Sequence, residues 1–187
     1  MNRNLDGVRR AFGLLFITIA IAVAVGAMLS ELILLYNGSI VHYATVWFSS
    51  ICVAIGLLFY RAPGIVQNLR ERFRVTMGWP KIMKAVNGLS WAAPFVLIPV
   101  FPAYYPYLVL LGIGLGNVST YLIFRHMRGF TFREQLMVGL ISLAALPLLV
   151  AIKSLNAVSD DVLLLLLRLC IALAYGIGGT YALQFEQ

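Results

Sequence analysis

Two ionisable residues stand alone inside long apolar runs, Glu31 and Arg168, and they are where this sequence could do chemistry. A lone charge at the centre of a membrane helix costs about 2.5–3.5 kcal/mol on insertion scales unless it is paired or hydrated. Glu31 falls about six residues, or about 9 Å, before the end of the first run. Arg168 falls about seven residues, or about 10 Å, after Asp161 at the start of the last run. Helical side chains lean toward their own N-terminus. Glu31 therefore leans inward and Arg168 outward, and an ion pair forms if their helices are neighbours. Such a pair could bind a charged substrate, gate a path, or join two spans. The plainer alternatives are that Arg168 snorkels toward Asp160 and Asp161, and that Glu31 reaches the interface or stays protonated.

The other reactive side chains are scattered. His42 and His126 are expected on opposite sides of a membrane, so they cannot share a metal, and neither has ligand spacing to Cys, Asp or Glu. Cys52 and Cys170 sit in separate apolar runs, where thiols behave as small hydrophobes. Only Glu31, His42, Asp160 and Asp161 share a face, and they make no acid–base or nucleophile set. No phosphate loop, dinucleotide fingerprint or zinc-protease motif occurs. Catalysis, a metal and a cofactor are therefore not expected.

The elements that must position Glu31 and Arg168 are read from hydropathy. The 187 residues are 61% hydrophobic and 11% charged, against about 25% charged in a soluble domain. Lipid is the expected solvent. Spanning it takes about 20 apolar residues in a helix. Six segments approach that length, at about 11–36, 41–60, 85–101, 107–124, 136–152 and 162–185. The expected fold is an all-α integral membrane protein, one polytopic domain of six transmembrane helices in three hairpins. Arg9-Arg10 superficially resembles a twin-arginine signal, but the run that follows is too long for a signal peptide.

Charge supplies the orientation. Of 14 Lys and Arg residues, 12 lie in three polar stretches: Arg3, Arg9 and Arg10; Arg61, Arg70, Arg72, Arg74, Lys81 and Lys84; and Arg125, Arg128 and Arg133. Basic connections are retained in the cytoplasm, so both termini are expected there, in the cell membrane. The external connections, 37–40, 102–106 and 153–161, carry Lys153 against Asp160 and Asp161. Tyr36, Tyr43 and Trp47 flank the first external turn, and Phe101, Tyr104, Tyr105 and Tyr107 the second. Tyr60, Trp79, Trp91 and Phe124 are expected at the inner headgroup level. The +7 charge then reflects membrane rims rather than nucleic-acid binding.

Between spans two and three, Val66, Leu69, Phe73 and Met77 recur at helical spacing among polar residues. This predicts a cytoplasmic amphipathic helix over about 63–77, lying on the inner leaflet and ending near Gly78-Trp79-Pro80. Arg70, Arg72, Arg74, Arg125 and Arg128 are the candidates for contact with anionic headgroups or with a partner.

Small and helix-breaking residues are the last signal. Pro94 and Pro99, Pro147, Gly112, Gly114 and Gly116, and Gly176, Gly178 and Gly179 interrupt four spans. Broken helices surround midplane sites in transporters; small residues also let helices pack closely. Asn87, Ser90, Asn117, Ser119, Thr120 and Thr180 gather toward the inner side, where interhelical hydrogen bonds would satisfy them. Two functions follow: a small transport-related protein with a site near Glu31 and Arg168, or a non-catalytic subunit or assembly factor of a larger membrane complex.

Overall fold

The computed structural model describes residues 3–128 and 132–184, and they are almost entirely helical. The helices are α1 Arg3–Leu35, α2 Ile40–Arg61, α3 Ile65–Met77, α4 Lys81–Val96, α5 Tyr105–Arg128, α6 Arg133–Ser154 and α7 Asp160–Gln184, with a 3₁₀ turn at Pro102–Tyr104 before α5. Five of them, α1, α2, α5, α6 and α7, are long and apolar enough to cross a membrane. This is a helical multi-pass membrane architecture. The helices outrun the apolar segments because polar residues that continue a helix well carry no hydropathy signal. α1 begins eight residues before the expected start of the first span, and its 33 residues extend about 50 Å.

α4 departs most from expectation. It starts at Lys81 rather than near Ala85 and stops at Val96. Pro94 has no N–H to give its own turn, and a residue preceding a proline, here Ile98 before Pro99, is pushed out of the α region. Residues 97–100 continue as hydrogen-bonded turns, with Leu97 N–H on the Ala93 carbonyl at 3.1 Å and Phe101 N–H on the Leu97 carbonyl at 2.9 Å. The other proposed breakers do not break. α6 runs through Pro147, and α5 and α7 run through all their glycines.

Those glycines serve close approach. A Cβ on Gly179 would lie 2.8 Å from the Gly13 carbonyl oxygen and 2.9 Å from the Ile17 nitrogen, so α1 and α7 touch backbone to backbone. On α5, Gly112 and Gly116 seat the rings of Phe95 and Trp91 from α4, and Gly114 meets Leu143 of α6. In lipid no hydrophobic force drives helices together, so tight packing and hydrogen bonds must. Thr120 and Ser119 hydroxyls lie 2.8 and 2.9 Å from the Asn87 amide oxygen, and the Trp91 indole N–H donates to Thr120 at 3.3 Å. These bonds pin α4 to α5 beside the glycine seats.

The contacts fix the order of the helices across the bundle as α2, α1, α7, α6, α5, α4. α1 and α7 are antiparallel, since Gly13 meets Gly179 while Ala20 meets Gly176. α4 and α5 are antiparallel by the same reasoning. Two matched turns join α1 to α2 and α6 to α7. Asn37 and Asn156 take φ of 51° and 49°. Gly38 N–H bonds back to the Ile33 carbonyl, and Ala157 N–H to the Ile152 carbonyl. This is the left-handed helix stop that asparagine tolerates.

α3 packs on the N-terminal extension of α1. Its buried residues are Ile65 and Leu69, so Leu69 lies on the buried face as expected, whereas Val66 is 48% exposed and Ile65 takes its place; the side chains of Phe73 and Met77 lie outside the described residues. Two aromatic residues expected at the inner headgroup level are core instead. Trp79 and Phe132 stack edge-on against Phe124 from both sides, each with centroids 4.9 Å apart. Trp79 and Phe124 are buried, and Trp91 is held between α4 and α5. Cys52 is exposed on α2 rather than buried, and Cys170 is half-buried.

Gly179→Ala should lower unfolding stability by about 1–3 kcal/mol through overpacking. Gly88→Ala, with open space around it, should be neutral or raise stability by up to about 1 kcal/mol. Thermal unfolding in detergent, followed by gel filtration, reads both; equal behaviour of the two variants would contradict the contact.

Candidate functional site

A cavity of about 720 Å³ lies between α1, α2, α5 and α7, and Glu31 and Arg168 both line it. α1 and α7 touch at Gly13 and Gly179, and small residues continue away from that contact at Ala20, Gly176 and Ala27. Glu31 and Arg168 lie beyond them on the two helices.

Arg168 Nη1 and Glu31 Oε1 lie 3.4 Å apart, with the two side chains 18% and 33% exposed. A charge-assisted bond of this kind is usually about 2.7–2.9 Å, so the pair is loose. The guanidinium also lies over the Trp47 ring, 5.7 Å from its centroid, within range of a cation–π attraction. Trp47 is set there by Gly26, where a Cβ would meet the indole at 3.0 Å. The missing side chain on α1 thus seats the indole that α2 supplies. Ser30, on the cavity wall, turns its hydroxyl back to the Gly26 carbonyl at 2.7 Å.

Around the pair, Tyr43 and Tyr105 line the wall from α2 and α5, and Asp161 lies at the start of α7. Further in, the lining is apolar: Ile19, Val23, Ile113, Leu167 and Ile171. Tyr175 lies at the far end, stacked edge-on against Phe16 at 5.2 Å. The chemistry on offer is binding: an anion on Arg168, a cation on Glu31 or Asp161, and an apolar body along the inner wall.

The remaining sequence candidates lie elsewhere. Arg70 and Arg74 are exposed on α3, and Arg125 is exposed near the end of α5. The side chains of Arg72 and Arg128 lie outside the described residues. His42 caps its own helix, with Nδ1 2.9 Å from the Ser39 hydroxyl and 3.1 Å from the Ser39 nitrogen. Lys153 pairs with Asp160 across the α6–α7 turn, and the neighbouring Asp161 lines the cavity together with Glu31.

One buried polar face escaped the sequence reading. Glu134, Gln135 and Ser142 are 1%, 5% and 0% exposed on α6. Glu134 follows Arg133 and looks like part of a solvated basic connection. It actually occupies the first turn of α6, where unpaired backbone N–H groups favour a carboxylate. The signal available was the spacing of Glu134, Val138 and Ser142, four residues apart and so on one helical face.

Neutralising either partner, by Glu31→Gln or Arg168→Gln, should destabilise the protein. The double-mutant cycle should give a coupling of about 0.5–3 kcal/mol. The exchange Glu31→Arg with Arg168→Glu should recover folded protein that the single reversals lose. Additivity in the cycle, with no recovery by the exchange, would mean that the two charges act separately. The chain matches no family model, no curated protein and no solved structure, so the properties of this cavity rest on its own atoms.

Proposed function

We propose that this protein is a transport-related, non-catalytic membrane protein that binds a small molecule in the outer-half cavity. The observation that carries the reading is the loose Glu31–Arg168 pair inside a cavity of about 720 Å³. That volume falls within the range of small-molecule sites, about 300–1,000 Å³. The pair, hydrogen-bonded at 3.4 Å, faces a wall of rings and aliphatic groups rather than being sealed between α1 and α7. A ligand that inserts its own charges between Glu31 and Arg168 exchanges one ion pair for two, and so can bind without stranding a charge in lipid.

The proposed setting is the cell membrane, crossed six times, with both termini in the cytoplasm. The antiparallel packing of α1 and α7 supports an even number of crossings. With α4 outside the bilayer, α1 and α7 would run parallel. The 16 residues of α4, extended by the turns at 97–100, run alongside α5 from the Trp79–Phe124 contact toward Tyr105. The basic residues Arg70, Arg74 and Arg125 then face anionic inner-leaflet headgroups, and Arg72 and Arg128 belong to the same cytoplasmic stretches of sequence. Non-catalytic membership of a larger membrane complex remains a second reading. It is favoured by α2, none of whose membrane-crossing stretch is buried within the chain.

Two experiments test these proposals. In a background with Cys52→Ser and Cys170→Ser, single cysteines at Ser39, Ala103 and Asn156 should react with an impermeant maleimide on intact cells. Cysteines at Gln67 and His126 should react only after permeabilisation; the reverse pattern would contradict the orientation. A thermal-shift screen of water-soluble and amphipathic small molecules against the purified chain should find a stabilising ligand whose effect Arg168→Gln abolishes. Stabilisation indifferent to Arg168, or stoichiometric co-purification of larger membrane proteins with no ligand response, would favour the subunit reading.

A further inference from the structure

We infer that the ligand of this cavity is a zwitterionic, single-tailed amphiphile, held with its headgroup outermost and its tail pointing toward the inner side. The inference rests on the binding-protein reading above and adds the chemical class of the ligand.

The charged residues of the cavity lie in one half of it. Asp161, Glu31 and Arg168 lie at its outer end, with Tyr43 beside them, whereas Ile19 and Ile171 line the inner part. Along α7 the lining runs from Asp161 to Tyr175, fourteen residues, or about 21 Å at 1.5 Å per residue. That is far longer than a compact polar solute needs. α2 contributes only through Ile40, Tyr43 and Trp47, so the inner half of the wall comes from α1, α5 and α7. The cavity is thus a charged chamber continued by an apolar slot.

The charges specify the head. Two carboxylates and one guanidinium line the chamber, so a purely anionic head would meet two like charges. A purely cationic head would leave Arg168 with nothing new to hold. Arg168 has five N–H donors in a fixed fork, and Glu31 takes one of them at 3.4 Å. A phosphate or carboxylate can use the others, as arginine does at bidentate anion sites. An ammonium carried next to that anion then falls between Glu31 and Asp161. The ring of Trp47, already under the guanidinium, keeps Arg168 from following its natural tendency to snorkel out.

The slot also has a way in. α2 packs extensively on α1 alone, and α5 on α4 and α6. The wall between α2 and α5 is therefore a seam without extensive helix packing, at the level where both helices line the chamber. An amphiphile can enter there with its tail still in lipid, whereas a soluble solute gains nothing from a sideways opening.

The experiment uses the full chain in mild detergent, with thermal stabilisation and titration calorimetry as readouts. The probes share a myristoyl-length tail: lysophosphatidylethanolamine, an alkyl betaine, lysophosphatidylglycerol and an alkyltrimethylammonium. Glycerophosphoethanolamine supplies the head without a tail. The zwitterions should bind at least about tenfold more tightly than the singly charged amphiphiles, and the tail-free head should give no measurable shift. The better of the two zwitterions tells a phospholipid source from a phosphate-free one. Ile171→Trp, or Val23→Trp if the first does not fold, should fill the slot and weaken tail-bearing ligands by about tenfold or more.

Equal binding of all four amphiphiles, unaffected by Arg168→Gln, would overturn the inference as mere partitioning. Binding of the tail-free head as tight as that of the lysolipid, with Ile171→Trp silent, would overturn the tail. If a water-soluble ligand from the screen stabilises the chain and no amphiphile does, the binding-protein reading stands and this inference fails. If neither kind of molecule does, both fail.

Discussion

The rest of the bundle depends on one close approach, the passage of the α1 backbone across the α7 backbone at Gly13 and Gly179. No side chain separates the helices there, and even a methyl group would press on main-chain atoms. Membrane helices gain little from burying apolar surface, because lipid is as apolar as leucine. They associate through dispersion at short range, and glycine shortens the range. From this spine α2 and α3 hang on α1, and α6 hangs on α7. α5 and α4 continue the row through their own glycine seats and through the hydrogen bonds around Asn87.

The cavity borders the same two helices. Small residues mark their approach at Gly13, Gly179, Ala20 and Gly176, and Glu31 and Arg168 meet farther along it. Beside that meeting a gap remains that α2 and α5 also border. α2 fills part of it with Trp47, seated on Gly26, and α5 supplies Tyr105. What remains is a cavity with Glu31 and Arg168 on its wall. Their pairing lowers the cost of placing two charges among apolar helices. Function, on this account, uses a space that packing produces.

Much of this was legible in the sequence, for identifiable reasons. Glu31 and Arg168 stood out because charge is rare in apolar runs, and helical rise alone put them at matching depth. Asn37 and Asn156 mark turns because asparagine accepts a left-handed backbone. The interhelical bonds of Asn87, Ser119 and Thr120 follow from the need to satisfy polar groups in lipid. What could not be read depended on neighbours. Trp79 and Phe124 resemble headgroup rings until the inner ends of α4, α5 and α6 converge on them. Glu134 hides among basic residues because its burial is set by α6 and its neighbours. Val66 fits an amphipathic stripe as well as Ile65 does, and only the position of α1 chooses between them. The glycines pointed both to broken helices and, more strongly, to tight packing; the continuous α5 and α7 match the second.

The most direct test of the central claim is a structure of the protein determined in a lipid nanodisc, at a resolution that shows acyl chains. This account predicts elongated density between α1, α2, α5 and α7. Its head should touch Arg168 and Glu31, with the pair opened beyond 3.4 Å, and its tail should run inward past Ile171 toward Tyr175. A closed cavity, with Trp47 and Tyr105 in contact across it and Glu31 bonded tightly to Arg168, would contradict it and reduce the pair to a structural tie between the first and last helices.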